Sequence, residues 1–569
     1  MSLQQKLITF TKSKIASIPT DIYTIYWIYV LFTFIVLQKQ KLFVLETFTD
    51  SNSYMDWSLR SYRTFAYPLL LHIISFFSKD FELLPEVQFF ISALAIFILL
   101  ISLKIYQFSG WQSLVIVLPL LSTESIYSYF YKQLAENLAV SFAIATIAFL
   151  LMTVSNIEKR FYWLGLGMSL FLTYQTRPSF LFMIPLIPIL GIVLFLLKYG
   201  KLSWLESIKI ITFKFCIVSI LPILVFSSFR AITVNDFGIV SFSGHNIAGI
   251  TTQMLTPQVI EQLPIAQQDL ANAILERRNK RMQELFLPDL EYAKTNQGIT
   301  PSGVNLSGCT TSLLKSHIKD FYPWINCQAY NYSHNATASR NTIFEIYGTY
   351  DPVLVSQTLQ ALSNSILQLK LTVYIHWFIE ALIHSLFAVV FLEPLILKLS
   401  YIFYGVLFLY FILPCLCSRI KDRILKRGII VSSYTTLFVP VILSFFVPVI
   451  LGLDLANIFY YSIFRTMARL LLALLILGSI GHLIIVDLFP KRARYRFSWL
   501  YKYFSLFPKN IVFLTLVSFS FFLSGTILVI LVEPPLRRYI IAVSFLFPSL
   551  LSLISLNLFF NTLDRIKRQ

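Results

Sequence analysis

Two sets of residues have the types and spacing to do chemistry: carboxylates and arginines at the ends of long apolar runs. The segment Asp50–Ser51–Asn52–Ser53–Tyr54–Met55–Asp56, followed by Arg60 and Arg63, comes just after the first apolar run. A carboxylate at a bilayer surface can accept a proton from an attacking hydroxyl or hold a cation. Asp50 is the candidate base. Tyr54, four residues on, shares its face if the stretch is helical. Asp56 is the further carboxylate that a divalent cation would need. Glu136 stands at the mouth of another apolar run, where a lone charge is costly unless paired or functional. A helix N-terminus that favours negative charge explains Glu136 equally well. Arg177, Arg465, Arg469, Arg537 and Arg538 lie at helix ends away from the basic clusters of the chain. Guanidinium groups bind phosphate bidentately, so several of them beside an apolar interior suit a phosphate on a lipid chain. Snorkelling to lipid headgroups accounts for any one taken alone. His245 lies in Ser243–Gly244–His245–Asn246–Ile247–Ala248–Gly249, whose glycines imply a tight turn or a close backbone approach, as in a loop facing substrate. Cys309 and Cys327 fall in the one long polar segment, where a disulfide is expected if that segment faces an oxidising compartment.

The elements that must position these residues are membrane helices. Of the 569 residues, 57% are hydrophobic and 13% charged, against roughly 25% charged in a soluble chain. The mean hydropathy is +0.72. Apolar runs near the length that spans a bilayer, about 20 residues, recur along the chain. The formal charge of +18 does not mark a nucleic-acid partner. Its residues cluster in short segments between apolar runs, such as Lys159–Arg160, the group from Arg419 to Arg427 and the group from Lys491 to Arg496. Such segments stay on the cytoplasmic side. The first run reads as a transmembrane helix, with no processing site after it. No nucleotide-binding or zinc signature is present.

This pattern predicts an all-α polytopic protein with about 12 transmembrane helices in three parts. Residues 1–230 form an N-terminal membrane module whose first outside loop is 45–87. That loop contains an apolar stretch, 67–77, too short to span. Residues 231–365 form a large extracytoplasmic soluble region with sequons at Asn305, Asn331 and Asn335. Residues 366–569 form a second membrane module. Helices are expected at 22–44, 88–106, 107–121, 134–154, 161–176, 179–197, 211–230, 429–452, 467–489, 510–532 and 540–560. One or three more crossings are expected in 366–417.

The chain also resembles the GT-C type integral membrane glycosyltransferases, in particular the protein mannosyltransferase and aminoarabinose transferase group. Asp50 to Tyr54, with Arg63 and Tyr67–Pro68, is similar to the acidic first-loop motif of that superfamily. Leu134–Ala135–Glu136–Asn137–Leu138 resembles its acidic helix mouth, Thr176–Arg177–Pro178 its Arg-Pro helix end, and Arg538–Tyr539 its late Arg-Tyr pair. Ser51 departs from the paired acidic motif of many members, and the soluble region lies mid-chain rather than at the C-terminus. The resemblance implies a GT-C helical bundle that moves a sugar from a polyprenyl-phosphate donor to a glycan, lipid or protein acceptor. Asp50 and Glu136 would be the catalytic carboxylates, and Arg177, Arg465 and Arg538 would bind the donor phosphate. Tyr54, Asp56, Arg63 and His245 would contact substrate. It implies no organic cofactor; a divalent cation would fall to Asp50 and Asp56. The setting it implies is a bacterial inner membrane with the site facing outside. A transporter or flippase of a lipid-linked or anionic solute, and a polyprenyl-linked glycan polymerase or ligase, are the alternatives.

Overall fold

The computed structural model describes residues 22–40, 45–47, 51–56, 58–199, 204–296, 300, 306, 309, 321–348, 351–392 and 509–568. Their regular elements are all helices, and the one β pairing among them is an isolated bridge between Glu46 and Lys132. The helices of the first half are α1 (Ile22–Gln40), α2 (Ala66–Ser75), α3 (Leu84–Ile105), α4 (Gly110–Val117), α5 (Glu136–Ser155), α6 (Arg160–Thr176), α7 (Met183–Tyr199) and α8 (Trp204–Val234). The polar middle contributes α9 (Ser243–Thr251), α10 (Ile265–Arg281), α11 (Leu287–Thr295) and α12 (Phe321–Tyr347). Then come α13 (Pro352–Leu392), α14 (Lys509–Ile530), α15 (Arg537–Ser544) and α16 (Phe547–Arg568).

Seven helical stretches among the described residues are long and apolar enough to cross a membrane: Leu84–Ile105, Glu136–Ser155, Pro178–Tyr199, Ile211–Val234, Pro352–Leu386, Lys509–Ile530 and Arg538–Asn557. Thr24–Leu37 and Gly110–Ser122 are shorter apolar helices in two further expected positions. The expected helices at 429–452 and 467–489 lie outside the described residues, as does everything from 393 to 508. The expected short stretch at 67–77 is α2, whose 10 residues rise about 15 Å, half the hydrocarbon thickness.

The stretch Arg538–Asn557 and α5 are the two most buried of these spans, and α8 and α13 the least. Of the α5 apolar window, 83% is buried, against 22% for α8 and 17% for α13. Small residues on α5, including Ala139, Ala143 and Ala148, let neighbouring backbones approach. Hydroxyl and amide groups then link helices inside the apolar body. Ser92 contacts Ser141 (2.8 Å) and donates to Asn137 (3.0 Å), and Thr146 meets Thr173 (3.3 Å). The bundle has two distinct ends. At one, Lys198 donates to Ser155 (2.8 Å) and the Tyr106 hydroxyl to the Leu194 carbonyl (3.2 Å). At the other, Ser51 donates to the Gln133 carbonyl (3.1 Å) and Thr64 to the Thr176 carbonyl (3.1 Å).

The polar middle covers this second end. Arg230, fully buried near the end of α8, donates to the carbonyls of Leu59 (3.0 Å) and Gly238 (2.8 Å) and pairs with Asp236 (3.1 Å). It ties the first loop to the entry of the polar segment. Arg278 of α10 donates to the Thr252 carbonyl (2.8 Å), capping the turn after α9. A disulfide joins Cys309 to Cys327, with Cα atoms 5.8 Å apart, in a small core with Phe286 and Leu290. Trp324 of α12 stacks on His384 of α13 at 4.3 Å and donates to Glu380 (2.9 Å).

Three features differ from the sequence reading. The boundaries at 230/231 and 365/366 both fall inside helices, because α8 and α13 run from the membrane body into the polar part. The helical dihedrals of α13 break at Lys370. The segment around His245 is a helix, α9, rather than a loop. A Cβ on Gly244 would overlap the Ser356 carbonyl of α13, and one on Gly249 would come 2.5 Å from the Tyr332 ring of α12. The glycines therefore serve a close helix–helix approach rather than a turn. Asn331 and Asn335 are buried within α12, which removes both from the surface that glycosylation needs.

Candidate functional site

Four chain segments meet at the covered end of the bundle. Glu136 is the first residue of α5, where unpaired helix N–H groups favour an anion. Its side chain is 2% exposed. Arg177 follows α6 in extended conformation, as the residue before a proline prefers. Its Nη1 lies 2.5 Å from Glu136 Oε1. Arg538, near the start of α15, brings its Nε to 3.9 Å from the same oxygen. Two guanidinium groups thus converge on one buried carboxylate.

Tyr539 fills the space beside them. Its ring lies 4.5 Å from the Arg177 guanidinium carbon and 5.3 Å from that of Arg538. Its hydroxyl donates to Glu533 Oε2 at 2.9 Å, and both residues are buried. Burial pushes the Glu533 carboxyl above its usual range, although Arg538 and the Tyr539 hydroxyl pull it back. The Glu533–Pro534–Pro535 turn closes α14 and aims Glu533 inward.

The first loop supplies the third side. Arg63 donates to Ser53 (2.7 Å) and lies over the Tyr54 ring at 4.5 Å. Tyr54 meets Tyr67 of α2 edge-on at 5.0 Å. Burial raises the Tyr54 hydroxyl above its usual range, while Arg63 acts in the opposite sense; Glu136, Arg177 and Arg538 also act on it. The phenol is therefore neutral near pH 7 and can donate a hydrogen bond.

The polar middle closes the fourth side. Arg63 also faces the Phe242 ring (5.9 Å), which packs on His245 (5.0 Å). Burial, then Arg340 and Arg63, push the His245 imidazole down to about 3, so it is uncharged near pH 7. Tyr332 donates to Asn246 (3.0 Å) and senses the charges of Glu533 and Arg538.

The structure thus brings together Tyr54, Arg63, Glu136, Arg177 and Arg538, with His245 beyond Phe242. Asp56 is not brought in. It is exposed, and its carboxylate accepts from the Ser58 N–H (2.9 Å) and hydroxyl (3.2 Å), a local turn that satisfies it. Asp50 and Arg465 lie outside the described residues. The segments flanking Asp50 are tied toward the site, since the Glu46 N–H donates to the Tyr131 carbonyl (3.0 Å) and Ser51 is held by Gln133. Among the described residues no group of three or more His, Cys, Asp or Glu side chains is placed to hold a metal ion.

Sequence reasoning did not select Glu533, Tyr67 or Tyr332. Glu533 carries a signal, an acid between two apolar helices five residues before Arg538. An acid in a turn is ordinarily solvated, however, and only packing shows that this one is not. Tyr332 carries no such mark, and Tyr67 is marked only through the Tyr67–Pro68 step of the first-loop resemblance. Comparison of the chain with known protein families, with curated proteins and with solved structures finds no match.

Proposed function

We propose that the chain is a membrane glycosyltransferase of GT-C type, taking its sugar from a polyprenyl-phosphate donor. The observation that carries this reading is the convergence of Arg177 and Arg538 on the buried Glu136 at one end of the bundle. A lipid-linked phosphate needs cations at the edge of an apolar body. Two arginines already held together by one carboxylate are poised to receive it. The basic residues Lys159 and Lys198 occupy the opposite end, which by the positive-inside rule orients the site away from the cytoplasm.

In this reading the acceptor oxygen attacks the anomeric carbon and the bond from that carbon to the phosphate oxygen breaks. The phosphate leaves with the electron pair and the acceptor proton passes to Asp50. One displacement inverts the anomeric centre. Arg177 and Arg538 stabilise the charge that grows on the leaving phosphate. Glu136, its charge committed to two cations, holds them in place rather than taking the proton. Tyr54 and Arg63 face the substrate from the first loop, and α9 and α12 cover the acceptor side.

The test is an assay of the purified chain with labelled polyprenyl-phosphate sugars and membrane extract as acceptor. Wild type should form a new glycoside. R177Q and R538Q should each lower turnover by about 10²-fold or more, the scale of losing one oriented cationic or hydrogen-bonding partner. D50N should lose most activity. Movement of the lipid-linked sugar across a vesicle membrane with no new covalent bond would replace this reading with a flippase.

A further inference from the structure

We propose that Glu533 and Tyr539 are the positioning pair of the arginine clamp, and that an anion bound at Arg177 and Arg538 draws a proton onto Glu533. The inference rests on the phosphate-binding reading of those two arginines. Tyr539 contacts both guanidinium groups through its ring, so its position sets the gap between them. Its hydroxyl is anchored by Glu533 at 2.9 Å. Glu533 is itself fixed at the end of α14, where its N–H donates to the Val529 carbonyl (3.0 Å) and two prolines follow. Moving either residue would release the ring that spaces the clamp.

Tyr539 touches Glu533 directly, and the groups whose charges act on this carboxylate or feel it come from four elements. Arg538 and Tyr539 belong to α15, Arg177 to the end of α6, Arg63 to the first loop and Tyr332 to α12. Three guanidinium groups therefore support one buried carboxylate. A phosphate engaging Arg177 and Arg538 takes up the same positive charge and places a second anion near Glu533. A carboxylate beside a like charge in a buried site favours its protonated form. One proton then moves from solvent to Glu533 for each anion bound, and no substrate bond is broken. Because the complex holds more protons than the free protein, binding strengthens as pH falls.

The experiment uses the full chain in detergent or nanodiscs. Geranyl phosphate and, in a separate arm, inorganic phosphate are titrated by calorimetry in buffers of different ionisation enthalpy. Wild type should take up protons on binding, and E533Q should not. The ratio of wild-type to E533Q affinity should change by about tenfold between about pH 5 and about pH 8, equivalent to a shift of one pKa unit. Comparing the two proteins cancels the titration of the phosphate itself. E533D should retain the uptake. Y539F should keep it while binding several-fold more weakly, because the ring remains and its anchor is lost. Binding of geranyl phosphate alone assigns the clamp to a lipid headgroup, and equal binding of both ligands assigns it to free phosphate. Parallel pH curves for wild type and E533Q, or failure of both ligands to bind, overturn the proposal. If proton-linked binding occurs and no sugar is ever transferred, the transferase reading fails and the positioning pair stands.

Discussion

A carboxylate buried at the first turn of α5 has given up its water, and what replaces that water decides whether the protein tolerates it. For Glu136 the replacement is mainly Arg177, with Arg538 farther off. Removing one partner of a buried pair leaves an uncompensated charge and destabilises by about 3–5 kcal/mol. R177M should therefore lower the melting temperature in detergent markedly, and E136L/R177M should recover much of the loss. Equal melting of wild type and R177M would show that the pair is not buried as described. His245 makes the opposite demand, since its surroundings refuse a proton. Its folded value of about 3 lies below the usual 6.5. Between these values the unfolded chain binds a proton that the folded imidazole does not, so stability falls as pH drops through that window. H245Q should flatten the pH dependence of melting there, as read by thermal scans across the window.

At the scale of elements, the contact that sets the cover over the site is α9 against α13. Gly244 lets the two backbones meet, and its N–H donates to the Ser356 hydroxyl at 3.2 Å. A side chain at this position must push α9 outward, and overpacking of this kind costs about 1–3 kcal/mol or more. G244V should lower stability by that amount and loosen the segment that carries His245 and Asn246. Faster amide exchange in residues 243–254, measured by mass spectrometry, would report it. The same packing shows why the glycine pattern was legible only in part. Close approach was one of two meanings that Gly244 and Gly249 allowed. Which one applied depended on α13 for Gly244, whose partner Ser356 lies 112 positions away, and on Tyr332 of α12 for Gly249.

For the whole molecule, the separation of the two ends is the testable property. Asp56 lies at the end holding the Arg–Glu cluster, and Lys159 at the other; both are exposed. With Cys216, Cys415 and Cys417 replaced by serine, Asp56→Cys should react with a membrane-impermeant maleimide on intact cells. Lys159→Cys should react only after permeabilisation. Labelling of both from the same side would remove the membrane orientation on which the site assignment depends.

Composition and hydropathy by themselves marked the seven apolar spans among the described residues, the short α2 and the polar middle segment, because lipid burial is a local demand that each stretch of sequence must satisfy alone. They also marked Glu136, Arg177 and Arg538 as charges at helix mouths. Tertiary structure alone decided that these three share one contact, that Tyr539 and Glu533 complete it, and that Asp56 stands apart in its own turn. The physical reason is that the energy of a buried charge depends on what lies within a few ångströms of it. Here those neighbours come from α5, α6 and α15, which meet only when the bundle closes.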